Sequence, residues 1–147
     1  MSNDPSKKNI NENHIILLFV NFDYPPEIIT EKINLSPSKT GLKGERYYLG
    51  HNQEVVKYRK SNFWEYELRQ ITNDFIGESF DQFVEEIIYP RAASIRSIAE
   101  TCNGEIKMVQ YYYNGYNPGY HLPAKIIAML SGTKLDIDID TYCLTSE

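Results

Sequence analysis

Between Phe80 and Cys102 the apolar residues keep one helical phase. Phe80, Phe83, Val84, Ile87 and Ile88 fall at i, i+3, i+4, i+7 and i+8, and the stripe resumes with Ile95, Ile98, Ala99 and Cys102. Such a stripe belongs to an amphipathic helix with one face turned to a core. Pro90 interrupts it, removing a backbone donor and clashing with the carbonyl four residues earlier. Phase kept across that break predicts one kinked helix, or two abutting ones, lying on a sheet. Ser79 or Asp81 would cap its start, and Asn103-Gly104 would stop it.

The rest of the chain supplies the strands. His14 to Tyr24 reads as a strand, buried on both faces at Ile15 to Val20. Pro25-Pro26 stops it and opens a short helix, with Ile28, Ile29 and Ile33 on one face and Asn34, Ser36 and Pro37 at its end. Gly41 to Glu45 reads as a loop, Arg46 to Leu49 as a strand and Gly50 to Gln53 as a turn. One or two strands follow between Val55 and Leu68, where Trp64, Tyr66 and Leu68 oppose Glu65 and Glu67. Glu105 to Tyr113 is a strand with both faces partly apolar, as in a central or covered position. Turn signals at Asn114-Gly115 and Asn117-Pro118-Gly119 precede a helix from Pro123 to Leu130, with Ile126, Ile127 and Leu130 inward and Gly132 as cap. In the last strand Leu135, Ile137 and Ile139 alternate with Asp136, Asp138 and Asp140.

These elements predict a polar, flexible tail over residues 1–13 and a single α+β domain over 14–147. The sheet should be antiparallel or mixed, with the long kinked helix and two short helices mostly on one face. The first and last strand–helix–strand stretches also resemble each other, either as a weak duplication or as a chance likeness of two short amphipathic helices.

Composition bounds the class. The chain has 147 residues, 41% of them hydrophobic, with Gly and Pro sparse, which excludes collagen-like, disordered and membrane-spanning chains. The first apolar run, Ile15 to Val20, is too short for a signal sequence or a membrane span, so a cytoplasmic protein is the expectation. Cys102 and Cys143 fall on core-facing positions and read as two buried thiols rather than a disulfide. The net charge of −5 is uneven: residues 31–69 carry a local +3 and residues 70–147 a local −6. The acidic second half argues against nucleic acid as the principal partner.

No constellation of catalytic residues emerges. Asp136, Asp138 and Asp140 alternate along one strand, whereas calcium or magnesium needs ligands converging from several directions. His14, His51 and His121 have no ligand spacing, and H-E-x-x-H and C-x-x-C are absent. Gly41-Leu-Lys-Gly44 lacks the phosphate-loop pattern and follows a helix, and Cys143 faces inward, where a thiol is inert. No catalytic residue, metal or cofactor is therefore expected. Tyrosine is the outlier, with 12 in the chain and five between Tyr111 and Tyr120. Those tyrosines either pack under their loop or, as Tyr113, Tyr116 and Tyr120 with His121, form a recognition surface, tyrosine being rigid, large and polar at its tip. The three aspartates would add a patch for a basic partner.

The motif order resembles a bacterial family known as domain of unknown function 4279. The resemblance rests on Asp23-Tyr-Pro-Pro-Glu-Ile-Ile-Thr-Glu-Lys-Ile-Asn-Leu-Ser-Pro-Ser-Lys-Thr-Gly-Leu-Lys-Gly-Glu45, on Phe63-Trp64, and on the helix containing Pro90. Asn117-Pro-Gly-Tyr-His-Leu122 and Leu135-Asp-Ile-Asp-Ile-Asp140 complete it, so that it covers residues 14–144. It implies a compact α+β domain without an assigned activity and carries over no catalytic residue. Members encoded near polymorphic toxins imply an immunity, or toxin-neutralising, role. The tail before His14 and the charged stretch from Tyr47 to Lys60 depart from the shared pattern. The expectation is thus a non-enzymatic protein-interaction domain that occludes a protein partner such as a toxin, its surface built from Tyr113, Tyr116, Tyr120, His121, Asp136, Asp138 and Asp140. The alternative is a small enzyme or ligand-binding domain with a pocket near Trp64, Tyr112 and His121.

Overall fold

The computed structural model describes residues 10–72, 76–113 and 119–144. In chain order the elements are β1 (Glu12–Val20), α1 (Glu27–Ile33), β2 (Lys39–Gly41), β3 (Arg46–Leu49), β4 (Val55–Tyr58) and β5 (Phe63–Ile71). A long bent helix follows: α2 (Ile76–Phe83), a π turn (Val84–Ile88), a 3₁₀ turn (Tyr89–Arg91) and α3 (Ala92–Ala99). β6 (Asn103–Tyr113), α4 (Ala124–Ser131) and β7 (Asp136–Leu144) complete the chain. The α+β class agrees with the sequence pattern.

Five strands make one sheet in the order β2-β5-β1-β6-β7, and β3 and β4 form a separate two-stranded ribbon. β1 runs antiparallel to β5 and β6, β2 runs antiparallel to β5, and β6 and β7 are parallel. The links from β1 to β2 and from β5 to β6 are therefore crossovers between parallel strands that each straddle one antiparallel strand. This is the split βαβ connectivity of ferredoxin-like sheets, extended at one edge by α4 and β7. The two stretches that resemble each other in sequence are both crossovers, but β5 lies between β1 and β2 whereas β6 and β7 are neighbours.

The four described helices bury one face against the same side of the sheet. Ile15, Leu17 and Phe19 of β1, Trp64 of β5, and Ile106 and Met108 of β6 pack in one cluster with Ile29, Ile33, Phe80, Ile88, Ile98 and Ile126. Each such side chain contributes roughly 1.5–3 kcal/mol on burial. β1 alternates strictly, so Asn13, Ile15, Leu17 and Phe19 are buried, and Ile16, Leu18 and Val20 are half-buried on the opposite face. The apolar run that read as doubly buried thus serves a sheet with helices on one side.

Pro90 bends the long helix, and the backbone around it is rearranged to match. The N–H of Tyr89 reaches back five residues to the carbonyl of Val84. Pro90 has no N–H for the carbonyl of Glu86. The guanidinium of Arg91 replaces it, Nη1 donating to the carbonyls of Glu86 at 3.4 Å and Ile87 at 3.1 Å. The same side chain donates from Nε to the carbonyl of Ile33 at 2.9 Å and from Nη2 to that of Asn34 at 3.3 Å. Those carbonyls close α1, which ends on Asn34 in the left-handed region, φ 52°.

Several local expectations need correction. The long helix is under way at Ile76, so neither Ser79 nor Asp81 caps it. Ile28 and Ile127 are exposed, because the buried stripes of α1 and α4 narrow to Ile29 with Ile33 and Ile126 with Leu130. Lys39–Gly41 is a short strand that Phe63–Glu65 recruits to the sheet. Gly132 caps α4 as expected, but in right-handed geometry, and the left-handed residue is Lys134 at φ 58°. Gly104 lies inside β6 rather than ending a helix: a Cβ there would stand 2.8 Å from Leu135 Cδ2 and 3.0 Å from Phe19 Cε1. The thiols are free, Cys102 half-buried and Cys143 exposed, because β7 is an edge strand whose core-side residues are only partly covered. Of the tail read over residues 1–13, Glu12 and Asn13 already pair in β1, and residues 1–9 lie outside the described residues. No described helix is long and apolar enough to cross a membrane.

Candidate functional site

With the described helices gathered on one side, the opposite face of the sheet is open. In its middle, His14 Nε2 lies 3.0 Å from Glu12 Oε1 and its Nδ1 meets Glu67, while Arg69 pairs with Glu12. The hydrogen bond from Arg69, aided by charge, holds the Glu12 carboxyl below the ordinary glutamate range. An aromatic strip leads outward from there. The His14 ring meets Tyr111 edge-on at 6.0 Å, and Tyr111 stacks on Tyr142 at 5.1 Å with 14° between the planes. Tyr142 stands on the outermost strand with 48% of its surface exposed. On the same face Lys107 Nζ lies 3.6 Å from Asp138 Oδ2.

At the other end, the β3–β4 ribbon and the open face enclose a groove of about 450 Å³, lined by Leu18, Val20, Tyr47, Arg59, Phe63 and Glu65 among others. The Arg59 guanidinium lies 4.4 Å from the Phe63 ring centre and 5.1 Å from that of Tyr47. Burial raises the pKa of Glu65, against the pull of Lys39 and Arg59.

The sequence-derived surface divides between the two sides of the sheet. Strand alternation puts Tyr113 of β6 and Asp136, Asp138 and Asp140 of β7 on the open face, beside Tyr111 and Tyr142. Tyr120 and His121 lie on the helix side. There the Tyr120 hydroxyl meets Thr141 Oγ1 at 2.8 Å, and both residues help to line a cavity of about 160 Å³ with Ile76, Phe80, Met108 and Leu122. Tyr116 lies outside the described residues. Trp64 and Tyr112 are both fully buried, and Trp64 donates from Nε1 to Thr30 Oγ1 at 3.0 Å. In register Trp64 aligns with Phe19 and then Gly104, and Tyr112 lies eight residues further along β6. That is roughly 26 Å at strand spacing, so Trp64, Tyr112 and His121 cannot line one pocket.

A polar row crosses the sheet, with Gln70, Asn13, Gln110 and Thr141 adjacent in register. Gln110 is fully buried, and its side-chain amide interacts with the Tyr120 hydroxyl. Nearby, burial and the charge of Glu85 raise the pKa of Asp81, with His121 opposing.

His14, Tyr111 and Tyr142 were not singled out from sequence. Extending the alternation of Asp136, Asp138 and Asp140 by one step places Tyr142 on their face. The link to His14 needs the β1–β6 register, which no local pattern reveals.

A family described as a domain of unknown function, DUF4279, matches residues 11–144. The chain belongs to that family. Its DUF4279 domain is also 29% identical over 91 residues to the type II restriction enzyme BsuRI of Bacillus subtilis. The matched segment is 62% of this chain but only 15% of that enzyme. No solved structure matches.

Proposed function

We propose that this DUF4279 domain is a non-catalytic, cytoplasmic interaction domain that docks a protein partner on the open face of its sheet. The observation that carries this reading is the aromatic strip of His14, Tyr111 and Tyr142, which ends on an exposed ring flanked by Asp136, Asp138 and Asp140. A rigid aromatic anchor beside a row of acids suits a basic protein surface: the rings desolvate on contact while the carboxylates steer the approach. The likeness to one segment of a much longer enzyme supports a module that serves larger assemblies. The partner we propose is a toxin, neutralised by occlusion of its working surface.

The test is calorimetric titration of the purified chain with the protein encoded beside its gene, paired with a growth-protection assay. Binding and protection that weaken at least tenfold in Tyr142→Ala and in Asp140→Lys support the reading. No binding, or binding indifferent to both substitutions, removes it.

A second reading has one observation in its favour: the cavity lined by Tyr120 and His121 has Met108 in its wall, two residues along β6 from the fully buried Gln110. It would hold a small, largely apolar ligand. A fragment screen by NMR that shifts no resonance of Met108, Tyr120 or His121 would dismiss it.

A further inference from the structure

Among the described residues β7 is an outermost strand of the sheet. It pairs over nine unbroken register positions with β6 on its inner side, and among the described residues no strand pairs on its outer side. The opposite edge, β2, is only three residues long and begins with a lysine. Short length, charged side chains, proline and bulges are the usual means of blunting an edge; β7, from Asp136 to Leu144, is long and unbulged and has no proline, and its only such device is the row of aspartates on one face. Its core-side residues stay open, Ile137 and Ile139 each 38% exposed, although their register partners Ile106 and Met108 are buried. An added strand would extend the helix-covered layer over them.

Charge selects the occupant. Asp136, Asp138 and Asp140 occupy successive positions on the open face of the strand. Only Asp138 has a cation beside it in register, Lys107, whereas Asp136 adjoins Glu105 and Asp140 adjoins Val109. A second copy of β7 laid alongside would set aspartates opposite aspartates or beside them on one face, which is destabilising. A strand with Lys or Arg at every second position and β-branched apolar residues between would meet the acids on one face and cover Ile137 and Ile139 on the other.

We propose that β7 is a docking edge for strand addition by an extended basic–apolar segment of a partner protein. The inference rests on the reading of the domain as a protein-interaction module, and it specifies how the partner is held: by a backbone hydrogen-bond ladder whose register the aspartates choose.

The test uses the full chain and a synthetic ten-residue peptide alternating Lys with Thr or Val. NMR titration and amide hydrogen exchange should show protection of alternate β7 amides. Replacing the lysines with glutamates should weaken binding at least tenfold. N-methylating one alternate set of peptide nitrogens should abolish binding, while methylating the other set leaves it within about twofold. Because these changes are made in the peptide, the fold of the domain is untouched. Asp136→Asn with Asp140→Asn, the first at an exposed and the second at a half-buried position, should reproduce the loss seen with the glutamate peptide. Absence of peptide binding, or equal sensitivity to both methylation sets, overturns strand addition. If the natural partner still binds with β7 amides unprotected, this inference fails and the interaction reading survives. If no protein partner binds at all, that reading fails first.

Discussion

Tyr111 and Tyr142 face each other across β6 and β7 at one register position, their rings 5.1 Å apart and nearly parallel. The stack joins the outermost strand to the rest of the open face. Aromatic pairs of this kind contribute about 0.5–1.5 kcal/mol beyond the area they bury. Tyr142→Ala should therefore lower stability by about 1 kcal/mol in urea denaturation and shift the β7 amides most in hydrogen exchange. Tyr142→Phe retains the stack and should leave both unchanged.

Glu65 gives a pH signature. Its folded pKa is raised, first by burial, above the ordinary value of 4.5. The stability this group confers is thus fully present below pH 4.5 and is lost as pH rises through the folded value. Glu65→Gln should raise the thermal midpoint at pH 7 and give no gain near pH 4. Glu12 has the opposite sign. Its pKa is lowered by the Arg69 hydrogen bond, so Glu12→Gln should lower the midpoint at neutral pH, and that difference should fade as pH falls through the depressed folded value. Thermal melts of both variants across this range check the two signs together.

Gly104→Ala tests a packing constraint. The added methyl would press on the side chains of Leu135 and Phe19 at 2.8 and 3.0 Å. Overpacking of this kind costs about 1–3 kcal/mol, and the denaturation midpoint should fall accordingly. A neutral result would mean that the Leu135 side chain moves aside freely.

Much of the architecture was legible because it follows from periodicity. The stripe from Phe80 to Ile98 gave the long helix and its bend, and the alternation of Trp64, Tyr66 and Leu68 gave the buried side of β5. Strand order was not legible. It places Trp64 and Tyr112 at opposite ends of the sheet, although both read as pocket residues. Edge position was equally hidden: Ile137, Ile139 and Cys143 have the pattern of buried residues, yet they stand on an outermost strand where a core face is only half covered. The tyrosine surface divided for a related reason, since Tyr120 follows β6 onto the helix side while Tyr113 ends on the other.

Arg91 links two helices that the chain order separates. It donates to the carbonyls freed by Pro90 and to those that close α1. Arg91→Met keeps the aliphatic stem and removes these donors, and should cost about 2 kcal/mol. Amides in the last turn of α1 and around the π turn should then exchange faster together. Faster exchange in only one of them would show that the two helices open independently.

The β3–β4 ribbon carries a consequence for how such domains diversify. Tyr48, Leu49, Val55, Val56 and Tyr58 are exposed, and none of them belongs to the core. It is held at its base, where Arg59 packs against Phe63 and against Tyr47 of β3, and Phe63 occupies the space that a Cβ at Gly41 would need. Selection for folding therefore places little restraint on the sequence between Arg46 and Tyr58. Substitutions there can accumulate without endangering the sheet, so the ribbon is free to vary from one relative to the next while the five strands beneath it stay the same.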